Sequence, residues 1–138
     1  MTDDELIQKA RDVLNYRELS AECSAGGVSA AVLTAADNVY VGVCIDAACG
    51  IGFCAEHSAI AHMVTMGESR IVKVVALSSD GRFMPPCGRC RELLYQVNND
   101  NLDTEILLSP DRSVTLAELL PERWQELWNK SVNQHTNC

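Results

Sequence analysis

Two short stretches, Cys54-Ala55-Glu56 and Pro85-Pro86-Cys87-Gly88-Arg89-Cys90-Arg91, decide how the rest of this chain is read. In the second, Cys87 and Cys90 stand at a spacing that lets the start of a helix aim two sulfurs at one metal ion, and the proline pair halts the chain just before it. Cys54 offers a third sulfur from elsewhere. Both stretches lie where a loop enters a helix. One helix is expected from Cys54 to Met66, closed by Gly67, and another over Cys87–Val97 through Leu93, Leu94 and Val97. Exposed N–H groups and the positive dipole end at a helix start favour thiolate over thiol. Three protein ligands leave a tetrahedral ion one open position, as in catalytic zinc sites, and thiolates select zinc over magnesium or calcium.

Glu56 stands two residues after Cys54, near such an ion without having to bind it. A carboxylate there can take a proton from water and hand it to a substrate. Hydrolytic deamination needs this shuttle: water attacks an amidine-like carbon, the ring nitrogen is protonated, and ammonia leaves. The double role requires a dry pocket that raises the carboxyl pKa. Three thiolates on a dication leave net negative charge, and His57, Arg89 and Arg91 are candidates to offset it alongside the helix dipoles. A structural zinc knot would instead close with a fourth Cys or His, for which Cys44, Cys49, His57 and His62 are near enough in sequence. That reading leaves Glu56 without a purpose. A redox couple of Cys87 and Cys90 leaves both Cys54 and Glu56 unexplained.

Outward from these stretches, Val28–Thr34 and Val39–Cys44 are apolar runs joined by Ala-Ala-Asp-Asn and read as a hairpin. Asp3–Tyr16 has Leu6, Ile7, Ala10, Val13 and Leu14 at helical spacing behind an acidic first turn. Val72–Ser78 and Glu105–Leu108 are further strands. Leu116–Leu120 and Glu122–Asn129 read as a terminal helical segment broken at Pro121, with Trp124 and Trp128 stacked four apart on it; His62 reads as a core or interface residue. A hairpin followed by strand–helix alternation implies an α/β layer structure with a mixed sheet.

The chain has 138 residues, 47% hydrophobic and 22% charged, which suits one domain over 1–138. No run nears the ~20 apolar residues of a membrane span, and the acidic start is unlike a secretory leader, so a cytoplasmic protein away from membranes is expected. Net charge is −8, with 11 basic residues scattered among 19 acidic ones, which argues against nucleic acid and leaves a small molecule as the partner. Seven cysteines are an odd count, so metal ligation or burial is expected rather than a disulfide framework.

The pattern C-A-E followed by P-C-G-R-C-R resembles the zinc-dependent cytidine deaminase family, including blasticidin-S deaminases. The likeness extends to Ser29-Ala30-Ala31, Gly42-Val43-Cys44 and Glu118-Leu119-Leu120-Pro121, and so covers nearly the whole chain. It implies a three-layer α/β/α sandwich around a five-stranded mixed sheet. It implies Cys54, Cys87 and Cys90 as zinc ligands, Glu56 as acid and base, and substrate hydrogen bonds to carbonyls near Ala55 and Pro85. A homo-oligomer, a tetramer or dimer, is implied as well. The chain departs from the family in three places. Cys44-Ile45-Asp46 stands where an Asn-x-Glu pair grips the ribose, Gly26 replaces an aromatic beside the substrate, and His57 replaces an arginine that balances charge. The expected substrate is an aminopyrimidine nucleoside such as cytidine or deoxycytidine. The alternatives are a modified nucleoside such as blasticidin S, a free aminated heterocycle, or a non-catalytic zinc-stabilised homologue.

Overall fold

The computed structural model describes residues 1–127; Trp128 and the tail through Cys138 lie outside the described residues. Helix α1 (Asp3–Val13) starts at a reciprocal cap. The Glu5 N–H donates to Thr2 Oγ1 at 3.2 Å, and the Thr2 N–H donates to the Glu5 carboxylate at 2.8 Å. Its buried face is Leu6, Ile7 and Ala10. The helix stops three residues short of the expected Tyr16 because Leu14 is extended and the Asn15 N–H donates to the Gly26 carbonyl at 3.2 Å. Residues beyond it form β1 (Arg17–Ser20), wholly exposed and with Leu19 as its single apolar residue, so no apolar alternation betrays it.

The long β2 (Cys23–Thr34) pairs antiparallel with β3 (Val39–Ala47), forming the expected hairpin with both strands extended. Residues 28–34 of β2 also pair antiparallel with β4 (Ile71–Ser78), whereas residues 23–25 pair with β1. Beyond β4 come β5 (Glu105–Ser109), parallel to it, and β6 (Arg112–Thr115), antiparallel to β5. Among the described residues the mixed sheet thus has six strands rather than five: β3-β2-β4-β5-β6 lie abreast, and β1 extends the line of β4 along β2.

Alternation along the strands divides the core in two. Val32, Val74 and Ile106 face Ala59, Ile60 and Met63 of α2 (Ala55–Thr65) and Leu94 of α3 (Gly88–Val97). Ala31, Leu33, Val75, Leu77 and Leu107 face Leu6, Ile7 and Ala10 of α1. These are the three α/β/α layers, and each buried Leu, Ile or Met contributes about 1.5–3 kcal/mol. His62 is exposed, set edge-on to Tyr40 with ring centroids 5.1 Å apart, and is not a core residue. The terminal region is less helical than its spacing implies: α4 (Leu116–Leu119) is one capped turn, and Trp124–Leu127 is a single 3-10 turn. Among the described residues no helix is long and apolar enough to cross a membrane.

Topology places the chemistry. Strands β3 and β4 both run antiparallel to β2, so they run in the same direction as each other. The chain leaves the end of each to begin α2 and α3, so both helix starts fall at one end of the sheet, the usual place for a ligand in such layers. Helix α2 lies against β3 at Gly42, where a Cβ would stand 2.5 Å from the Ala59 nitrogen and 2.6 Å from Ser58 Cβ. Gly42→Ala is expected to force backbone apart at a cost of about 1–3 kcal/mol. The variant should melt several degrees lower, and an unchanged melting curve would refute the close contact.

Candidate active site

Cys54 is the N-cap of α2 and Cys87 the N-cap of α3, each in extended conformation just before the first turn. The approach to Cys54 is pinned because Ile45 and Phe53 exchange both backbone hydrogen bonds, at 3.0 and 2.9 Å. The two caps meet: Cys54 Sγ lies 3.3 Å from Cys87 Sγ, which lies 3.5 Å from Cys90 Sγ in the first turn of α3. Cys90 Sγ is in turn 3.4 Å from His57 Nδ1, and the ligand atoms of Cys54, His57 and Cys90 all lie within 4.8 Å of one another. Sulfurs on one tetrahedral zinc with ~2.3 Å bonds stand about 3.8 Å apart, so the set fits an ion with small adjustments. His57 is the only one of the sequence-near extra ligands that the described residues bring to the cluster; His62 faces outward, and Cys49 is exposed in a loop.

The electrostatics also fit a cation. Burial, then the hydrogen bond with Cys87, raises the Cys54 thiol above its ordinary value. Burial and the Glu56 charge push Cys90 far up. Burial acts the same way on Cys87, but the Cys90 N–H, the neighbouring sulfurs and the Arg89 N–H outweigh it, and that thiol lies below its ordinary value. Neighbouring thiols that resist ionising together are what a dication stabilises as thiolates. His57 is lowered by burial and by Arg89, which favours its neutral form as a hydrogen-bonding or ligand nitrogen. Arg91 sends its donors to backbone carbonyls, Nε to Pro86 at 2.8 Å and Nη1 to Leu119 at 3.1 Å, and thereby ties the proline loop to α4.

Glu56 occupies the first turn of α2 and is 4% exposed. Burial raises its pKa, offset in part by its own backbone N–H and by Cys90. It lines a cavity of about 680 Å³ together with Cys54 and Cys87, so carboxylate and sulfurs share one wall. Cys44, Asp46, Ala55 and Pro85 line the same cavity, as do Tyr16, Phe53, Met84 and Arg89. Cys44 is buried and its sulfur accepts the Val28 N–H at 3.3 Å, while Asp46 is exposed at the rim. Sequence reasoning passed over Tyr16, Phe53 and Met84, since an apolar side chain at a cavity carries no chemical signature.

Residues 1–103 match the family model described as the cytidine and deoxycytidylate deaminase zinc-binding region. A probable cytidine deaminase of Dictyostelium discoideum is 28% identical over 143 aligned residues, 97% of this chain and 95% of that one. A cytidine deaminase of Halalkalibacterium halodurans is 30% identical over 68% of this chain and 74% of its own length. The crystal structure of cytidine deaminase from Mycobacterium leprae superposes with a TM-score of 0.71 at 30% identity, covering 86% of this chain and 97% of that one. The corresponding Mycobacterium tuberculosis structure gives 0.74 at 25% identity, over 90% and 98%. The chain belongs to the cytidine and deoxycytidylate deaminase family. It is a hydrolytic deaminase acting on amidine-type substrates, and its cofactor is zinc.

Zinc binding and folding are then linked. Cys90→Ala should purify with almost no zinc by elemental analysis and melt well below the parent protein. Chelation of the parent should lower its melting temperature in the same way. A Cys90→Ala protein that kept full zinc would remove Cys90 from the ligand set.

Proposed function

We propose that the chain deaminates a neutral aminopyrimidine nucleoside of the cytidine or deoxycytidine type, with Cys54, Cys87 and Cys90 holding zinc and Glu56 moving the protons. The observation that carries this reading is a buried carboxylate with a raised pKa beside clustered sulfurs, at the wall of a cavity large enough for a nucleoside. When bound, zinc supplies a water activated at neutral pH and a counter-charge for the thiolates. Glu56 accepts a proton from the attacking water on its carboxylate, delivers it to the ring nitrogen beside the reacting carbon, and serves the departing amine in the same way. Its burial keeps the two protonation states close enough in free energy for both roles. The carbonyls of Ala55 and Pro85 accept hydrogen bonds from the exocyclic amino group of the heterocycle.

At the other end of the cavity Asp46 accepts a sugar hydroxyl. Beyond it the surface continues into a recess lined by Tyr16, Glu18, Glu22 and Asp46. A phosphate ester placed there would meet carboxylates, which favours a nucleoside over a nucleotide. Because the Cys44 sulfur is engaged with the Val28 N–H, Asp46 carries the sugar contact without an amide beside it. That looser grip supports a second reading, a modified nucleoside such as blasticidin S or a free heterocycle. His57 and Arg91 act on the metal site indirectly in this scheme, His57 through the Cys90 sulfur and Arg91 through the Pro86 loop.

The whole chain acts as one deaminase unit in the cytoplasm, with six free cysteines among the described residues in keeping with a reducing compartment. It assembles with copies of itself. In support, an apolar groove lined by Ile51, Phe53, Ile60, Val64, Leu93 and Val97 adjoins the cavity, with Ile51 74% exposed. Light scattering of the purified protein should give a mass of two or four chains; a single-chain mass would end the assembly reading. For the chemistry, ammonia release should be measured from cytidine, deoxycytidine, deoxycytidylate, cytosine and blasticidin S. Release from a nucleoside should exceed that from its phosphate, and Glu56→Gln should lose at least about a thousandfold in kcat while keeping zinc. Retention of most activity in Glu56→Gln would overturn the mechanism.

A further inference from the structure

Tyr16 sits on the short connection between α1 and β1, more than half exposed at 56%, yet it lines the reaction cavity. Its placement is built. The Asn15 N–H donates to the Gly26 carbonyl at 3.2 Å, and Arg17 Nη1 donates to the Asn15 carbonyl at 3.0 Å. Gly26 has φ +83°, and a Cβ there would overlap the Asn15 carbonyl oxygen, so only glycine lets this segment lie against β2. The next residue, Gly27, also lacks a side chain, and a Cβ there would touch the Tyr16 ring at 3.6 Å. The β2 segment therefore presents bare backbone to the cavity at Gly27, and the ring of Tyr16 lies over it. Tyr16 also borders the recess with Asp46, which places it at the outer end of the cavity, away from the sulfurs.

Resting on the deaminase reading above, we propose that Tyr16 is a specificity-determining residue. Its ring forms the apolar wall against which the outer part of the nucleoside packs, opposite the hydroxyl acceptor Asp46. An aromatic ring held at a cavity mouth by a rigid turn gains its contact with substrate at little conformational cost, and ring contacts of this kind are commonly worth tenfold or more in affinity. The wall comes from a loop rather than from the strand beneath it: Gly26 lets the loop lie against β2, and Gly27 leaves room for the ring.

The test is equilibrium binding of cytidine by calorimetry to zinc-replete Glu56→Gln protein, alone and with Tyr16→Ala or Tyr16→Phe added. Tyr16→Ala should weaken binding about tenfold or more, and Tyr16→Phe should stay within about twofold. Zinc content and melting temperature should be unchanged in both, since the ring is mostly outside the core. In the active background the same Tyr16→Ala change should raise KM for cytidine with little effect on kcat. Binding unaltered by Tyr16→Ala, or weakened equally by Tyr16→Phe, would overturn the ring contact while leaving the deaminase reading intact. Failure of Glu56→Gln itself to bind cytidine would overturn the cytidine reading, and the wall assigned to that nucleoside with it.

Discussion

The meeting of two helix starts at one end of the sheet is the constraint on which the remaining structure depends. Cys54 and Cys87 cap α2 and α3, and their sulfurs stand 3.3 Å apart although 33 positions of chain separate them. Such an approach places groups that would repel as thiolates into a half-buried space, and burial alone disfavours their charge. A divalent cation resolves the conflict, so the apolar core and the metal centre support each other. The core holds the helices where the sulfurs converge, and the ion makes that convergence favourable.

Packing sets the precision of this arrangement more than the cysteines do. Gly42 lets α2 approach β3 at backbone distance, and the paired hydrogen bonds of Ile45 and Phe53 fix the loop that delivers Cys54. On the other helix, Arg91 binds the Pro86 and Leu119 carbonyls, so the proline turn and the short α4 are held as one piece. Glu56 is then placed by the same turn of helix that follows Cys54, and its burial raises its pKa against the opposing pull of its own N–H and Cys90. In the proposed function, one short helix start thus contributes a ligand, an acid–base group and a backbone acceptor.

The outer half of the cavity follows a different logic. There the strand is bare at Gly27, and Tyr16 from the loop after α1 lies over it. Asp46 and the neighbouring carboxylates of Glu18 and Glu22 set a negative potential in the recess beyond the cavity. The proposed reaction centre and specificity region are therefore carried by separate elements, the first by helix starts and the second by loops around β1–β3, which leaves them free to vary independently.

Much of the cluster proposed as the reaction centre was legible in the residues themselves, because metal ligation and proton transfer need particular atoms at particular spacings. Cys87 and Cys90 share a helical turn, and Glu56 follows Cys54 by two, so local geometry alone brings those pairs together. The α/β class was legible too, from apolar runs whose alternation survives as the two faces of the sheet. Only the tertiary structure could supply the rest. The early end of α1, the strands β1 and β6, and the outward-facing His62 depend on long-range hydrogen bonds and exposure that local pattern does not encode. Tyr16 and Phe53 became cavity residues through contacts with β2 and β3, and an apolar side chain announces no role until the fold shows what it faces. Chemistry that is local in the chain can be read from the chain, whereas the shape of a pocket belongs to the packing.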